Sequence, residues 1–455
     1  LKQKGEMKMS KKNETVAYVE GNYLIVGNAK YNLDGDIDLW GLDITSLPDN
    51  LTIGGWLDLR NTPIEKLPDN LTIGDFLDLR GSNIMALPDN LTIGENLCLQ
   101  DTGITELPDN LTIGGDFDLQ STNIAELPDN LTIGGFLNLE GTGITELPDN
   151  LTVGRGIALR NTGITALPDN LTVGGWLDLR NTPIEKLPDN LTIGGDFDLQ
   201  STNIAELPDN LTVGGDLNLR NTGITELPDN LIVSGGLDLE GTNITELPDN
   251  MTVGWNLYLQ NTGITALPDN LTVGGFLDLE GTNITELPDN LTVGRGIALR
   301  NTCITETDHI NRKVPDMLTW QEGRYILVDG IFSEVINKRD NVWKVKQIGK
   351  PETSYIVTDG EGRYAHGSTI REAREDLIYK ISDRDKSDYR GLALDHEFTF
   401  QQAIEAYRVI TGACALGTKQ FVAAQGELKE TYTIKEIMDI TKGQYGHDAF
   451  VEFFA

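Results

Sequence analysis

The stretch Leu57-Asp58-Leu59-Arg60-Asn61-Thr62-Pro63-Ile64-Glu65-Lys66-Leu67-Pro68-Asp69-Asn70 decides the fold. Its closing Leu-Pro-Asp-Asn first occurs at Leu47 and returns every twenty positions, thirteen times in all, the last copy starting at Leu287. A fixed period of this length marks a solenoid, in which each unit buries its apolar edge only against its neighbours. Within the unit, Leu57 and Leu59 point one way and Asp58 and Arg60 the other, the alternation of a strand. Ile64, Leu67 and Leu71 supply the remaining inward positions. Pro68 removes a backbone donor and fixes φ, so the return arm is expected to be extended. Twenty residues leave no room for a helix as well. Gly54-Gly55 is read as the tight turn into the next strand.

The order Leu-x-Leu-x-x-(Asn/Thr)-x-Ile-x-x-Leu-Pro resembles the leucine-rich repeat. Its short, proline-containing form is similar to the bacterial class found in secreted effectors, including the IpaH-type ubiquitin ligases. The wording Leu-Pro-Asp-Asn-Leu-Thr resembles repeat proteins of gut bacteria and their phages. The resemblance covers roughly residues 35–307 and implies a parallel-sheet superhelix of about fourteen strands, centred near Leu39, Leu59 and onward to Leu299. Where the family buries an Asn, this chain has Thr62, Thr102, Thr122 and their equivalents, and a threonine ladder is expected to satisfy the turn carbonyls. Three segments follow: an N-terminal tail and cap over 1–34, with Tyr23–Val26 and Trp40 as cap residues; the solenoid over 35–307; and an α+β domain over 308–455 that closes the other end.

Net charge is −34, and its placement is uneven. Residues 1–34 carry six Lys/Arg against four Asp/Glu, residues 35–307 ten against 42, and residues 308–455 twenty against 24. So acidic a solenoid repels phosphate backbones and anionic lipid, and favours a protein partner with a basic surface over nucleic acid or membrane. Acidic side chains also keep a long array soluble, whatever it binds. Cys98, Cys303 and Cys414 are too few and too scattered for a disulfide framework, and no Cys-x-x-Cys pair suggests zinc. No run of transmembrane length and no signal peptide is visible. The expected setting is the cytoplasm, or export without a cleavable signal; the chain begins with Leu, and the alternatives are a start at Met7 or an incomplete N-terminus.

Residues 56, 58 and 60 of each unit share the outward strand face, expected to be concave. The first column holds the large aromatics Trp56, Phe76, Phe136, Trp176 and Phe276, with Trp255 and Tyr258 nearby. Aromatics facing solvent on a sheet are typical interface anchors, though stacking along the ladder would also account for them. The second and third columns carry Asp58, Asp78 and Asp178 beside Arg60 and Arg180, either a partner-binding set or a self-balancing ladder. Whole cassettes recur, Gly54–Gly74 matching Gly174–Gly194, as shuffling of a recognition surface would leave them. The solenoid contains no histidine, so it is not read as catalytic.

After Ile304 the register fails. All four histidines, His309, His366, His396 and His447, lie beyond it. Strands are expected over 324–328, 331–336, 342–348, 354–357 and 363–365, an antiparallel meander with hairpin turns at Asp329-Gly330 and Asp359-Gly360. Thr369 with Glu372, Thr399 with Gln402 and Thr433 with Glu436 form capping boxes that open three helices. Two more helices are expected over 418–424 and at the C-terminal phenylalanines. Phe400, Ile404, Tyr407 and Thr411 make one helix face, read as core. The stretch from Tyr355 to Ala373 resembles the strand–strand–helix of HicB-type antitoxins, which implies a local β-β-α unit; a docking or antitoxin-like module is a third reading of the C-terminal domain.

For chemistry, Cys414 beside a glycine-flanked helix end could act as a nucleophile if His366 or His396 came close; a small buried core residue is the plainer reading. The effector ligases carry Cys-x-Asp, but Leu416 stands where the Asp would be. Asp34-x-Asp36-x-Asp38 and Asp383-x-Asp385-x-Ser387 begin like calcium loops yet lack the glycine and closing glutamate. No phosphate loop or dinucleotide fingerprint occurs, so no cofactor and no metal are expected. The sequence therefore reads as a non-enzymatic protein-recognition scaffold, with an effector-like enzyme using Cys414 as the alternative.

Overall fold

The structure is a computed structural model and describes residues 17–454 apart from 110, 130, 170, 305–306, 308–309, 316, 383 and 426–427. His309, Asp383 and Met7 therefore lie outside the described residues. The architecture is a parallel-strand solenoid of about fourteen turns with little helix, followed by antiparallel strands and helices. Contacts divide the chain into two compact units, 1–211 with 218–225, and 212–217 with 226–455.

The first unit opens with an antiparallel meander of β1 (Ala17–Glu20), β2 (Tyr23–Val26) and β3 (Ala29–Asn32). Leu24, Ile25 and Val26, three of the residues expected to form a cap, are buried. Trp40 is not part of it: the ring is 60% exposed, with the Arg60 guanidinium 5.8 Å from its centroid.

Each repeat contributes two strands of two residues. Leu57–Asp58 pairs in parallel with Leu77–Asp78, residue for residue, and the pattern continues along the array. Thr52–Ile53 pairs likewise with Thr72–Ile73, making a second parallel ladder. The extended return arm was expected, but this second ladder was not; its strands are only a β-branched pair, too short to show alternation. Leu57, Leu59, Ile64, Leu67, Leu71 and Ile73 are all buried. Each such side chain contributes about 1.5–3 kcal/mol of burial energy, set against the entropy of ordering the repeat.

The polar positions of the repeat have specific structural tasks. Thr62 Oγ1 donates to the Leu59 carbonyl at 2.7 Å, and the same bond recurs from Thr102 to Thr302. This is the expected threonine ladder. Ser82, the substitute in one repeat, is buried and its hydroxyl finds no partner. Asn50, Asn61 and Asn70 adopt left-handed backbone (φ 54–58°), which Asn tolerates better than most residues. The glycine pair requires correction. Neither Gly54 nor Gly55 has positive φ. Glycine is needed there because repeats stack so closely: a Cβ on Gly74 would lie 2.1 Å from the Gly54 carbonyl oxygen.

In the second unit the repeats run on to Ile297–Ala298, and Asn311 then bridges to Thr292 while its carbonyl accepts from the Val293 amide at 3.0 Å. The chain thereby extends the second ladder before turning away. Six antiparallel strands follow in sequential order: β4 (Met317–Trp320), β5 (Tyr325–Val328), β6 (Ile331–Arg339), β7 (Val342–Gln347), β8 (Thr353–Thr358) and β9 (Tyr364–Gly367). Five were expected; β4 is the addition. It seals the meander against the repeats, with Leu318, Trp320 and Phe332 packed on Ile232 and the Trp320 indole N–H donating to the Thr252 carbonyl at 3.0 Å.

Helices α1 (Ile370–Ile381), α2 (Phe400–Thr411), α3 (Ala415–Ala424), α4 (Ile434–Ile440) and α5 (His447–Phe454) complete the unit, with a short pair β10 (Glu397–Thr399) and β11 (Thr431–Thr433). The three expected N-caps are Thr369, Thr399 and Thr433, the last two in full capping boxes. β8, β9 and α1 form the expected β-β-α unit. On α2 the deepest residues are Ala403, Ala406, Tyr407 and Ile410, so the buried stripe is turned slightly from the expected face. No helix among the described residues is long and apolar enough to cross a membrane.

Candidate functional site

Two places stand out, one in each unit. On the strand face of the first unit, Trp56, Phe76 and Phe136 are half-buried and Trp176 is 37% exposed. Trp176 leans across Gly156, where a Cβ would meet its ring at 2.6 Å, and reaches Phe136 with 6.4 Å between ring centroids. The glycine thus lets two aromatics two repeats apart form one apolar surface. Between the aromatics the column holds short polar residues with a backbone task. Asp36 accepts from the Trp56 amide, Asn96 from the Asp116 amide, and Asp116 from the Phe136 amide. The sequence reading missed this one-repeat reach, which the Asp/Asn composition of the interrupting positions signals.

The next columns are also anchored. Asp58 Oδ1 accepts from the Arg60 amide, and both its oxygens meet the Arg60 guanidinium. Asp78 with Arg80 and Asp178 with Arg180 repeat the arrangement. Asp58 and Asp78, read as partner-facing, are only 6% and 2% exposed, and it is Arg60 and Arg80 that reach solvent. Arg60 and Arg180 also approach the next carboxylate, Asp78 and Asp198, at 3.4 Å. This is the self-balancing ladder. Asn138 and Asn218 make the same turn bond to residues 140 and 220, so the turn needs an oxygen and not a charge. Burial raises the Asp118 and Asp198 carboxyls, which lack an arginine two residues on. Unpaired acid lies elsewhere: Asp49, Asp69 and their equivalents at the Leu-Pro-Asp-Asn turns are exposed.

In the second unit the expected aromatics are occupied differently. The Arg295 guanidinium stacks 4.1 Å above Trp255 and pairs with Asp448 at 3.1 Å. Trp255 is therefore held by a residue of its own chain. Tyr258 accepts a hydrogen bond from Asn256 at 3.0 Å, and Phe276 lies over Gly296.

The second place is buried. Cys414 caps α3, its Sγ accepting from the Gly417 amide at 3.2 Å. His366 stands on β9, and Asp329 in the β5–β6 hairpin turn with φ 52°. One ligand atom from each of the three lies within 4.8 Å of the others. Cys414 and His366 are thus brought together, whereas His396 rests edge-on against Phe398 at 4.9 Å. Cys414 is 4% exposed. Burial, then the Asp329 charge, push its thiol up to about 12, against the pull of the Gly417 amide. A thiol so held is a poor nucleophile at neutral pH. Lys380, in the last turn of α1, donates to Asp329 Oδ1 and to the Tyr364 carbonyl. Burial works to raise the Asp329 carboxyl, but the neighbouring His366 ring and the Lys380 ammonium outweigh it and hold it low. Beside the cluster is an apolar cavity of about 180 Å³, lined by Asp329 and Cys414 together with Phe400, Ile404 and Tyr407. In the sequence Asp329 carries only the signature of a hairpin turn, and its place in the cluster comes from the fold. The supposed calcium-loop residues have other partners: Asp34 accepts from Asn22, Asp38 from the Trp40 amide and Asp385 from the Ser387 amide.

No protein-family model matches the sequence, and no curated protein does. Among solved structures the chain is similar to the leucine-rich effector protein YopM from Yersinia pestis, with 19% identity and a TM-score of 0.39, over 61% of this chain and 85% of that one. YopM from Yersinia enterocolitica is 19% identical with a TM-score of 0.32, over 62% and 76%. The Toll–Spätzle complex of Drosophila is 16% identical with a TM-score of 0.29, over 58% and 44%. At this distance, what those proteins bind is a property of theirs and not of this chain.

Proposed function

We propose that the protein is a recognition scaffold that binds a protein partner on the strand face of its repeats. The observation that carries the reading is the apolar surface made by Phe136 and Trp176 across Gly156, continued by Trp56 and Phe76 in earlier repeats. Large aromatics that keep part of their surface in water, on a rigid ladder, are suited to act as anchors because little side-chain entropy is lost when they are covered. The arginines of the Asp–Arg ladder flank them and can donate to a partner's carbonyls or carboxylates. The exposed Asp row at the repeat turns adds to an acidic field that favours a partner with a basic surface. The alternative, an enzyme acting through Cys414, is disfavoured by the buried sulfur and its raised thiol.

The test is comparative capture. Immobilised wild-type protein and a Trp56→Ala/Trp176→Ala variant are exposed to the same protein mixture at low and high salt. A partner of the strand face is retained by wild type, lost by the variant, and weakened by salt. Equal retention on both proteins would remove the strand face from consideration.

A further inference from the structure

We infer that Asp329, His366 and Cys414 form a binding site for a single zinc ion. The three residues come from a hairpin turn, a strand and a helix cap, and they offer a carboxylate oxygen, an imidazole nitrogen and a sulfur within 4.8 Å of one another. That mixed set suits zinc, whereas calcium and magnesium prefer oxygen alone.

A second observation is independent of this spacing. His366 is fully buried, yet neither ring nitrogen has a hydrogen-bond partner, and Asp329 Oδ2 has none either. The closest approach between them, Nδ1 to Oδ2, is 3.7 Å, too long for a hydrogen bond. Buried polar atoms are nearly always partnered, and each orphan costs about 1–3 kcal/mol. One ring nitrogen of His366 and a carboxylate oxygen of Asp329 lie with the Cys414 sulfur where a single cation would partner both residues. A plain Asp329–Lys380 ion pair would leave His366 unexplained.

The surroundings fit the same reading. Lys380 occupies Asp329 Oδ1 and leaves Oδ2 for the ion, the arrangement of an outer partner that orients a ligand. Gly417 brings the first turn of α3 close to the hairpin: a Cβ there would lie 3.1 Å from Cys414 Sγ and 4.0 Å from the Asp329 carbonyl oxygen. Binding would convert the Cys414 thiol to thiolate, releasing one proton per ion. With three protein ligands, a fourth would be water or a small donor from the adjoining cavity.

The experiment uses the full chain with Cys98→Ala and Cys303→Ser, so that Cys414 is the one remaining thiol. After chelator treatment it is titrated with zinc against a chromophoric competitor, and separately with cobalt(II). The expected result is one zinc per chain, one proton released, and a thiolate-to-cobalt charge-transfer band. Cys414→Ser and His366→Gln should each weaken zinc binding at least a hundredfold. Absence of the cobalt band, or a single zinc bound equally well by both variants, would overturn the proposal. The cobalt band is read on protein with the whole cluster intact, so it decides even if a variant fails to fold.

Discussion

Replacing Gly94 by Ala tests whether close stacking of repeats, and not turn geometry, is what demands glycine in the repeat. A Cβ at Gly94 would lie 1.8 Å from the Gly74 carbonyl oxygen and 2.9 Å from its carbon. A real Cβ keeps at least 3.0 Å, so the two repeats must part by more than about 1 Å at that corner. Two bonds sit on the corner, Gly94 N–H to the Ile73 carbonyl at 3.0 Å and Glu95 N–H to the Asp75 carbonyl at 2.9 Å. Losing both costs about 1 kcal/mol each, and the strain on the buried Ile73 and Ile93 adds a similar amount, about 3 kcal/mol in all. Because a long array need not unfold in one step, the assay is local: native-state hydrogen exchange over residues 90–100. Protection there should fall roughly a hundredfold. Gly35→Ala, where nothing lies within 4 Å of the added Cβ, is the control and should change exchange little. The natural exception shows how a side chain can be admitted: Ser234 donates to the Gly214 carbonyl at 2.8 Å. Unchanged protection in Gly94→Ala, or an equal loss in Gly35→Ala, would refute the stacking argument.

Asp118→Asn should stabilise the first unit at pH 7 by under about 1 kcal/mol, since Asn keeps the bond to the Gln120 amide, now 2.9 Å from Asp118 Oδ1, and removes a charge that burial disfavours. The Asp118 carboxyl is raised in the folded state, so the wild type recovers stability as pH falls through that raised value; the advantage of the variant should shrink below about pH 4, as urea melts at pH 7 and pH 3.5 would show. Of the three thiols, exposed Cys303 should react with a disulfide reagent many times faster than buried Cys414 or half-buried Cys98, whose thiol burial also pushes up to about 12; a second fast thiol in native protein would contradict the burial described.

The solenoid was legible because its signal is repeated. Leu57, Leu59, Ile64, Leu67 and Leu71 show their inward faces again in every unit, and the threonine ladder follows from one buried hydroxyl per repeat. What could not be read were distances between units. The glycines look like turn residues until the stacked carbonyl is placed beside them, and Asp36 or Asn96 look like surface until the amide of the next repeat is seen to donate to them. The Asp–Arg columns were legible as pairs, but their sharing of bonds with the turn amide was not. In the C-terminal part, turn and capping chemistry located strands and helices, whereas β4 was missed: it pairs with the adjacent β5, but its buried side chains pack on Ile232 and reach Thr252, far away in sequence. Cys414 and His366 were named from residue type; Asp329 joined them only through the fold.

We propose that the aromatic strand face recognises a protein. The most direct measurement is the affinity of a partner obtained by capture for wild type and for Trp56→Ala/Trp176→Ala, with hydrogen exchange over the repeats confirming an unchanged fold. Removal of two anchors at about 2 kcal/mol or more in total predicts at least a thirtyfold weaker complex. Equal affinity in a folded variant would mean that the partner does not bind the aromatic strand face.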